Sequence, residues 1–167
     1  MILATVQVEL PDITQGPPGT PGAGIVTAHW SQTYAPGHNT MSADWSASGI
    51  KLDVTSSSAG DRFIVEVAGV VGHSTTVGTH VPLEVRRNGI VIRAAGIEQH
   101  SAVYIPTNTI CVPFVMAVPD VPGTVGTVTY ELWWKSFSGS AYLGRRASEF
   151  STIKVATSIT VTRMLPA

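Results

Sequence analysis

The chain has 167 residues and 17.6 kDa, with 10 Lys plus Arg against 11 Asp plus Glu, which is the length of one domain with almost no net charge. At 44% hydrophobic it can bury a core. At 13% charged, against about 25% in ordinary soluble domains, it is neither a disordered tail nor a polyelectrolyte with a nonspecific hold on nucleic acid or an anionic membrane.

Val, Ile and Thr supply 52 residues and Leu, Glu and Lys only 16, a composition for strands rather than helices. Residues 2 to 9 read as a short extended segment with Ile2, Ala4, Val6 and Val8 on one face. The start lacks a basic region ahead of a long apolar run, so no signal peptide is expected. Pro11 and then Gly16, Pro17, Pro18, Gly19, Pro21, Gly22 and Gly24 interrupt regular structure. Gly16-Pro17-Pro18, Gly19-Thr20-Pro21 and Gly22-Ala23-Gly24 carry the every-third-residue Gly of collagen, too few triplets for a triple helix, and the stretch reads as a stiff polyproline-like spacer. Residues 1–24 are therefore expected to be an arm and linker, and residues 25–167 the folded domain.

From Ile25 onward period-two segments alternate with turn residues, and strands are expected near 25–34, 50–55, 62–71, 81–87, 90–95, 102–105, 109–118, 125–136, 141–144 and 152–164. Asn88-Gly89 between two β-rich runs predicts a tight type I′ hairpin, because both central positions require positive φ. Val128, Tyr130, Leu132 and Trp134 alternate with Thr127, Thr129, Glu131, Trp133 and Lys135, one face apolar and the other mixed. Trp133 on the mixed face points to a second packing surface, either a neighbouring subunit or a covering loop. So many short strands need two sheets to bury against each other, and the expected fold is an all-β antiparallel jelly-roll sandwich of about 8–10 strands with an extended N-terminal arm. No apolar stretch reaches the length of a membrane span, so no membrane insertion is expected.

Sites for chemistry are sparse. His29, His38, His73, His80 and His100 lack the i, i+2 or i, i+4 spacing that sets two imidazoles on one metal. The carboxylates form no Asp-x-Asp-x-Asp-Gly loop, and the nucleophile elbow and phosphate loops are absent. Cys111, the lone cysteine, lies among Ile110, Val112 and Phe114 on a segment read as a buried strand, where a thiol behaves as a small hydrophobe. Arg86-Arg87 and Arg145-Arg146 suit a solvated rim or ion pairs between subunits, and alternatively an anionic ligand. No enzymatic activity, metal or cofactor is expected.

Three stretches carry a resemblance: Val125 to Trp134 with its Tyr130-Glu131-Leu132-Trp133-Trp134, then Ala141-Tyr142-Leu143-Gly144-Arg145-Arg146, then the Thr-rich Ser158 to Met164. In this order they resemble a pattern at the ends of tailed-bacteriophage virion proteins, with Arg163-Met164 where an acidic residue is commoner. Gly60 to Val67 and Val85-Arg86-Arg87-Asn88-Gly89 extend the similarity over about residues 50 to 165. The resemblance implies a C1q/TNF-like jelly roll that assembles as a homotrimer on a virion, as capsid decoration, head fibre or short tail fibre tip. It implies docking on other virion proteins through the arm, with Val6, Val8 and Ile13 as anchors. Trp30, His38, Trp45, His73, His80 and His100, at loop or strand-end positions, are the candidates for contact with a host-surface glycan or receptor. Trp133, Arg145 and Arg146 are the candidates for subunit contact. The alternative is a lectin-like, ligand-binding jelly roll.

Overall fold

The computed structural model describes residues 26–34, 39–92, 101–146 and 155–164. Among them are eleven strands and no helix: β1 (Val26–Tyr34), β2 (Asn39–Thr40), β3 (Ser46–Ser56), β4 (Arg62–His73), β5 (Thr79–Arg87), β6 (Ile90–Val91), β7 (Ser101–Ile105), β8 (Cys111–Asp120), β9 (Gly126–Trp134), β10 (Ala141–Leu143) and β11 (Thr157–Met164). Sheet A runs β1-β11-β4-β8, with β10 and then β2 continuing beside the far end of β4. Sheet B runs β3-β9-β5, and β5 pairs β7 and β6 along its other edge. All pairings are antiparallel. Set aside the short β2, β6 and β10, and the eight remaining strands, renumbered one to eight along the chain, fall in the orders 1-8-3-6 and 2-7-4-5. That is the strand order of a jelly roll, as the composition and strand spacing lead one to expect.

The core lies between the sheets and is built by alternation. From sheet A come Phe63, Val65 and Val67 of β4, Phe114, Met116 and Val118 of β8, and Ile159 and Val161 of β11. Sheet B answers with Val81, Leu83 and Val85 of β5 and the predicted inward row Val128, Tyr130, Leu132 and Trp134 of β9. Phe63 sits edge-to-face between Trp30 and Tyr130, at centroid distances of 6.0 and 6.2 Å, geometry that adds about 1 kcal/mol per pair beyond area burial.

Several boundaries differ from expectation for local reasons. Strand β3 begins at Ser46 rather than 50: its first residues, Ser46-Ala47-Ser48-Gly49, are small, and the ladder shifts register between Ala47 and Lys51, where Gly49 takes φ 79°. Strand β2 is two residues pinned to β10, too short for a periodic signal. Strand β11 begins at Thr157, after the non-strand pair Val155-Ala156. Cys111 corrects the expectation of a buried thiol: it lies on the outward side of β8, paired to Gly72, and is half-buried. The Asn88-Gly89 turn has φ 50° and 79°, as the hairpin requires. Asn88 also locks the turn to the next strand, donating its N–H to the Thr129 carbonyl (2.8 Å) and accepting the Thr129 N–H on Oδ1 (2.9 Å).

Register fixes which end of the sandwich is which. Val26 pairs Met164, and Met164 pairs Arg62, so residues 1–25 join the sandwich where β4 begins. Strand β4 then runs to His73 at the opposite end, called distal below. There lie the 41–45, 74–78, 106–110 and 135–140 connections, since Ser46 pairs Trp134, Thr79 pairs Ile105 and Cys111 pairs Gly72.

Candidate functional site

The distal loops are sequences of hydroxyl residues, each interrupted by large apolar ones: Met41-Ser42-Ala43-Asp44-Trp45, Ser74-Thr75-Thr76-Val77-Gly78, Pro106-Thr107-Asn108-Thr109-Ile110 and Lys135-Ser136-Phe137-Ser138-Gly139-Ser140. Trp45 is half-buried, and other apolar members stay in water. Met41 is 74% exposed, Val77 69% and Phe137 60%. Such side chains would be free to collapse inward if their backbones were loose, but the Phe137 loop is held on three sides. Ser136 N–H donates to the Ser42 carbonyl at 2.8 Å, Lys135 N–H to the Pro82 carbonyl at 3.3 Å, and Ser74 and Ser140 close a pair, Ser74 N–H to the Ser140 carbonyl and Ser140 N–H to Ser74 Oγ, both 2.8 Å.

His73 is the buried peg under this loop. The Thr75 N–H donates to its Nδ1 at 3.0 Å, so the ring proton sits on Nε2, which donates to Ser136 Oγ at 2.7 Å. Ser136 in turn reaches the Ser138 and Gly139 carbonyls at 3.1 Å each. Burial pushes the imidazole below its ordinary value of 6.5, with the Ser138 carbonyl acting the other way. A serine and a histidine at this distance have the geometry of a nucleophile and its base, yet both are buried and the hydroxyl proton is directed at loop carbonyls. The pair serves as a loop anchor.

Above the loop, the Lys135 ammonium lies between two rings, 4.9 Å from the centroid of Trp45 and 4.9 Å from that of Phe137. His80 and Tyr104, opposite each other on β5 and β7 and both exposed, form a second ring pair 5.0 Å apart. The Tyr104 phenol lies across Gly78, where a Cβ would meet its oxygen, so this position admits no side chain while Tyr104 stays in place. Further along the same sheet face, the Arg86 guanidinium stacks on Trp133 at 3.9 Å and pairs with the fully buried Glu84 at 2.6 Å, while Trp133 Nε1–H donates to Glu131 at 3.2 Å.

The residues singled out in the sequence divide accordingly. Trp45 and His80 lie at the distal end. Trp30 is half-buried with its ring turned inward onto Phe63, and His73 is fully buried and offers no side chain to a ligand: Trp30 belongs to the inward parity of β1, and His73 continues β4 two residues beyond the expected strand end. Trp133 has its packing partner within its own sheet, in Arg86. Arg145 stacks on Tyr142 at 4.1 Å and Arg146 donates to the Thr109 carbonyl at 3.0 Å. His38, His100, Val6, Val8 and Ile13 lie outside the described residues. The sequence reading passed over Phe137, Lys135 and Tyr104. The signal for Phe137 was the lone ring in Ser136-Phe137-Ser138-Gly139, a large apolar residue where a turn needs none. Among the described residues, no group of three or more His, Cys, Asp or Glu is placed to share a metal ion.

The two outward sheet faces differ in charge. Sheet B carries Lys51, Asp53, Arg86, Glu131 and Lys135 on its outer side, where Glu84 is fully buried against Arg86. Sheet A is paved across its strands by rows such as His29, Thr162, Ile64, Pro119, then Ser31, Thr160, Glu66, Ala117, then Thr33, Ser158, Ala68, Val115. Glu66 is the formal charge in these rows, and Val115 is 73% exposed. No protein-family model matches the chain, and no curated protein matches it.

Proposed function

We propose that the chain is a non-enzymatic structural protein of a tailed-bacteriophage virion, a homotrimer that docks on the particle through residues 1–24. Its jelly roll is held outward as capsid decoration, head fibre or short tail fibre tip. The observation that carries the reading is the outer face of sheet A. An antiparallel sheet face left to water mixes polar and charged residues. Across those rows sheet A instead offers hydroxyls and small apolar side chains around a single carboxylate, with Arg62 and Arg145 at the two ends of the face, a composition suited to contact between copies. Prolines 113 and 119 on β8, which pairs only with β4 among the described residues, discourage a sheet that would grow edge to edge, leaving face-to-face association. The number three and the virion setting come from the ordered Tyr-x-Leu-x-Trp, Tyr-Leu-Gly-Arg and Thr-rich motifs of the second half of the chain.

Size-exclusion chromatography with light scattering tests this reading. A mass of about 53 kDa, three times the 17.6 kDa chain, is expected, and a stable monomer overturns it.

A further inference from the structure

We propose that the distal end of the sandwich is a saccharide-binding surface centred on Phe137, Trp45 and Lys135, with His80 and Tyr104 as a second ring platform. The inference rests on the virion reading for two points, that the end opposite the attachment of residues 1–25 faces away from the particle and that the saccharides to try are those of a bacterial surface.

Three observations carry it. The first is preorganisation. Exposed rings on unanchored loops lose side-chain and backbone freedom when they bind, whereas the Phe137 loop is already fixed by Ser42, Pro82, Ser74 and the buried His73. The second is composition. Interfaces with proteins are depleted in Ser and gather their apolar side chains into a continuous centre. Here the exposed apolar residues are separated by Ser and Thr on every distal loop, and Lys135 is inserted between Trp45 and Phe137. A pyranose has the matching chemistry: an axial C–H face for a ring, and a rim of hydroxyls for short side-chain hydroxyls, an ammonium and the Asp44 carboxylate of the same loop as Trp45. The third is the pairing of His80 with Tyr104, ring against ring, on the strands beside Pro82, whose carbonyl holds Lys135. Two aromatic platforms on one end suit an oligosaccharide of more than one residue rather than a monosaccharide.

The test uses the full chain on a printed panel of neutral and acidic bacterial-surface oligosaccharides, followed by calorimetric titration of the tightest one. Phe137 is the clean position, because it is exposed and its removal leaves the loop anchors intact. At least tenfold weaker binding is expected for Phe137→Ser and for Tyr104→Ser, with an unchanged melting temperature for Phe137→Ser and unchanged binding for Val121→Ser at the opposite end. No binding to any oligosaccharide of the panel, or Phe137→Ser binding as the unaltered chain does, overturns the proposal. A trimer that binds no saccharide overturns this inference and leaves the virion reading standing. A monomer that binds through Phe137 supports the inference while removing the trimer.

Discussion

Asp61 and His73, buried at opposite ends of the sandwich and both shifted from their ordinary values, contribute to how the fold answers acid. At the attachment end, burial alone would raise the Asp61 carboxyl, but the Ser57 and Ser58 N–H groups at 2.7 and 3.1 Å, the Ser57 hydroxyl and Arg163 outweigh it and hold the group below its ordinary value. Its contribution is complete above the ordinary carboxylate range and is lost only as pH falls through the lowered value. His73 at the distal end acts in a higher window. Its folded value lies below 6.5, so beneath 6.5 the unfolded chain takes up a proton that the folded chain refuses, and stability falls as pH drops. The melting temperature of the unaltered protein is therefore expected to decline between pH 7 and pH 5. His73→Gln, a neutral amide able both to donate and to accept, is expected to flatten that decline whatever it does to stability at pH 7. Parallel melting curves for the two proteins over this range would show that His73 does not titrate in a buried site.

At the scale of elements, the strands were legible wherever one face alone is buried. In β9 the inward row is apolar without exception, and in the β5–β6 hairpin Asn88-Gly89 names its own turn. What escaped the sequence was long-range. Whether His73 is loop or peg depends on Ser136, 63 positions away, and the parity of Trp30 depends on the pairing of β1 with β11, which no local pattern encodes. Gly72 is another such case. Within Val71-Gly72-His73 it reads as a strand terminus, yet a Cβ there would lie 2.4 Å from the Arg145 carbonyl oxygen and 3.0 Å from the Arg146 Cα. Both contacts are backbone, so no side chain can swing aside. Gly72→Ala is expected to destabilise the fold by about 2 kcal/mol, the usual order for overpacking. In a chain of this size that lowers the melting temperature by roughly 5 °C. A melting temperature within 1 °C of the unaltered protein would mean that the Arg145-Arg146 turn yields freely.

For the whole molecule, the sequence reached the two-layer architecture because composition and period-two patterning are summed over many strands. It could not reach the contrast between the layers' outer faces. Outward residues of sheet A come from four strands scattered from His29 to Thr162, and only the registers of β1 with β11, β11 with β4 and β4 with β8 assemble them into one surface whose middle rows carry Glu66 as their formal charge. That surface makes the assembly testable apart from the fold. Val115 projects from the middle of β8 into water, so Val115→Glu removes no core contact and adds a charge that the isolated chain can hydrate. In an assembly closed through sheet A the same carboxylate is buried beside Glu66 and its copies, where a desolvated like charge costs several kcal/mol. Val115→Glu is expected to convert the proposed trimer to monomers, with unchanged far-ultraviolet circular dichroism and with the proposed saccharide binding intact. Lys51→Glu, which alters the charge of sheet B by twice as much, is expected to leave the mass near 53 kDa, three times 17.6 kDa. If Val115→Glu stays trimeric while Lys51→Glu dissociates, the copies meet through sheet B, and the charge pattern has been assigned to the wrong face.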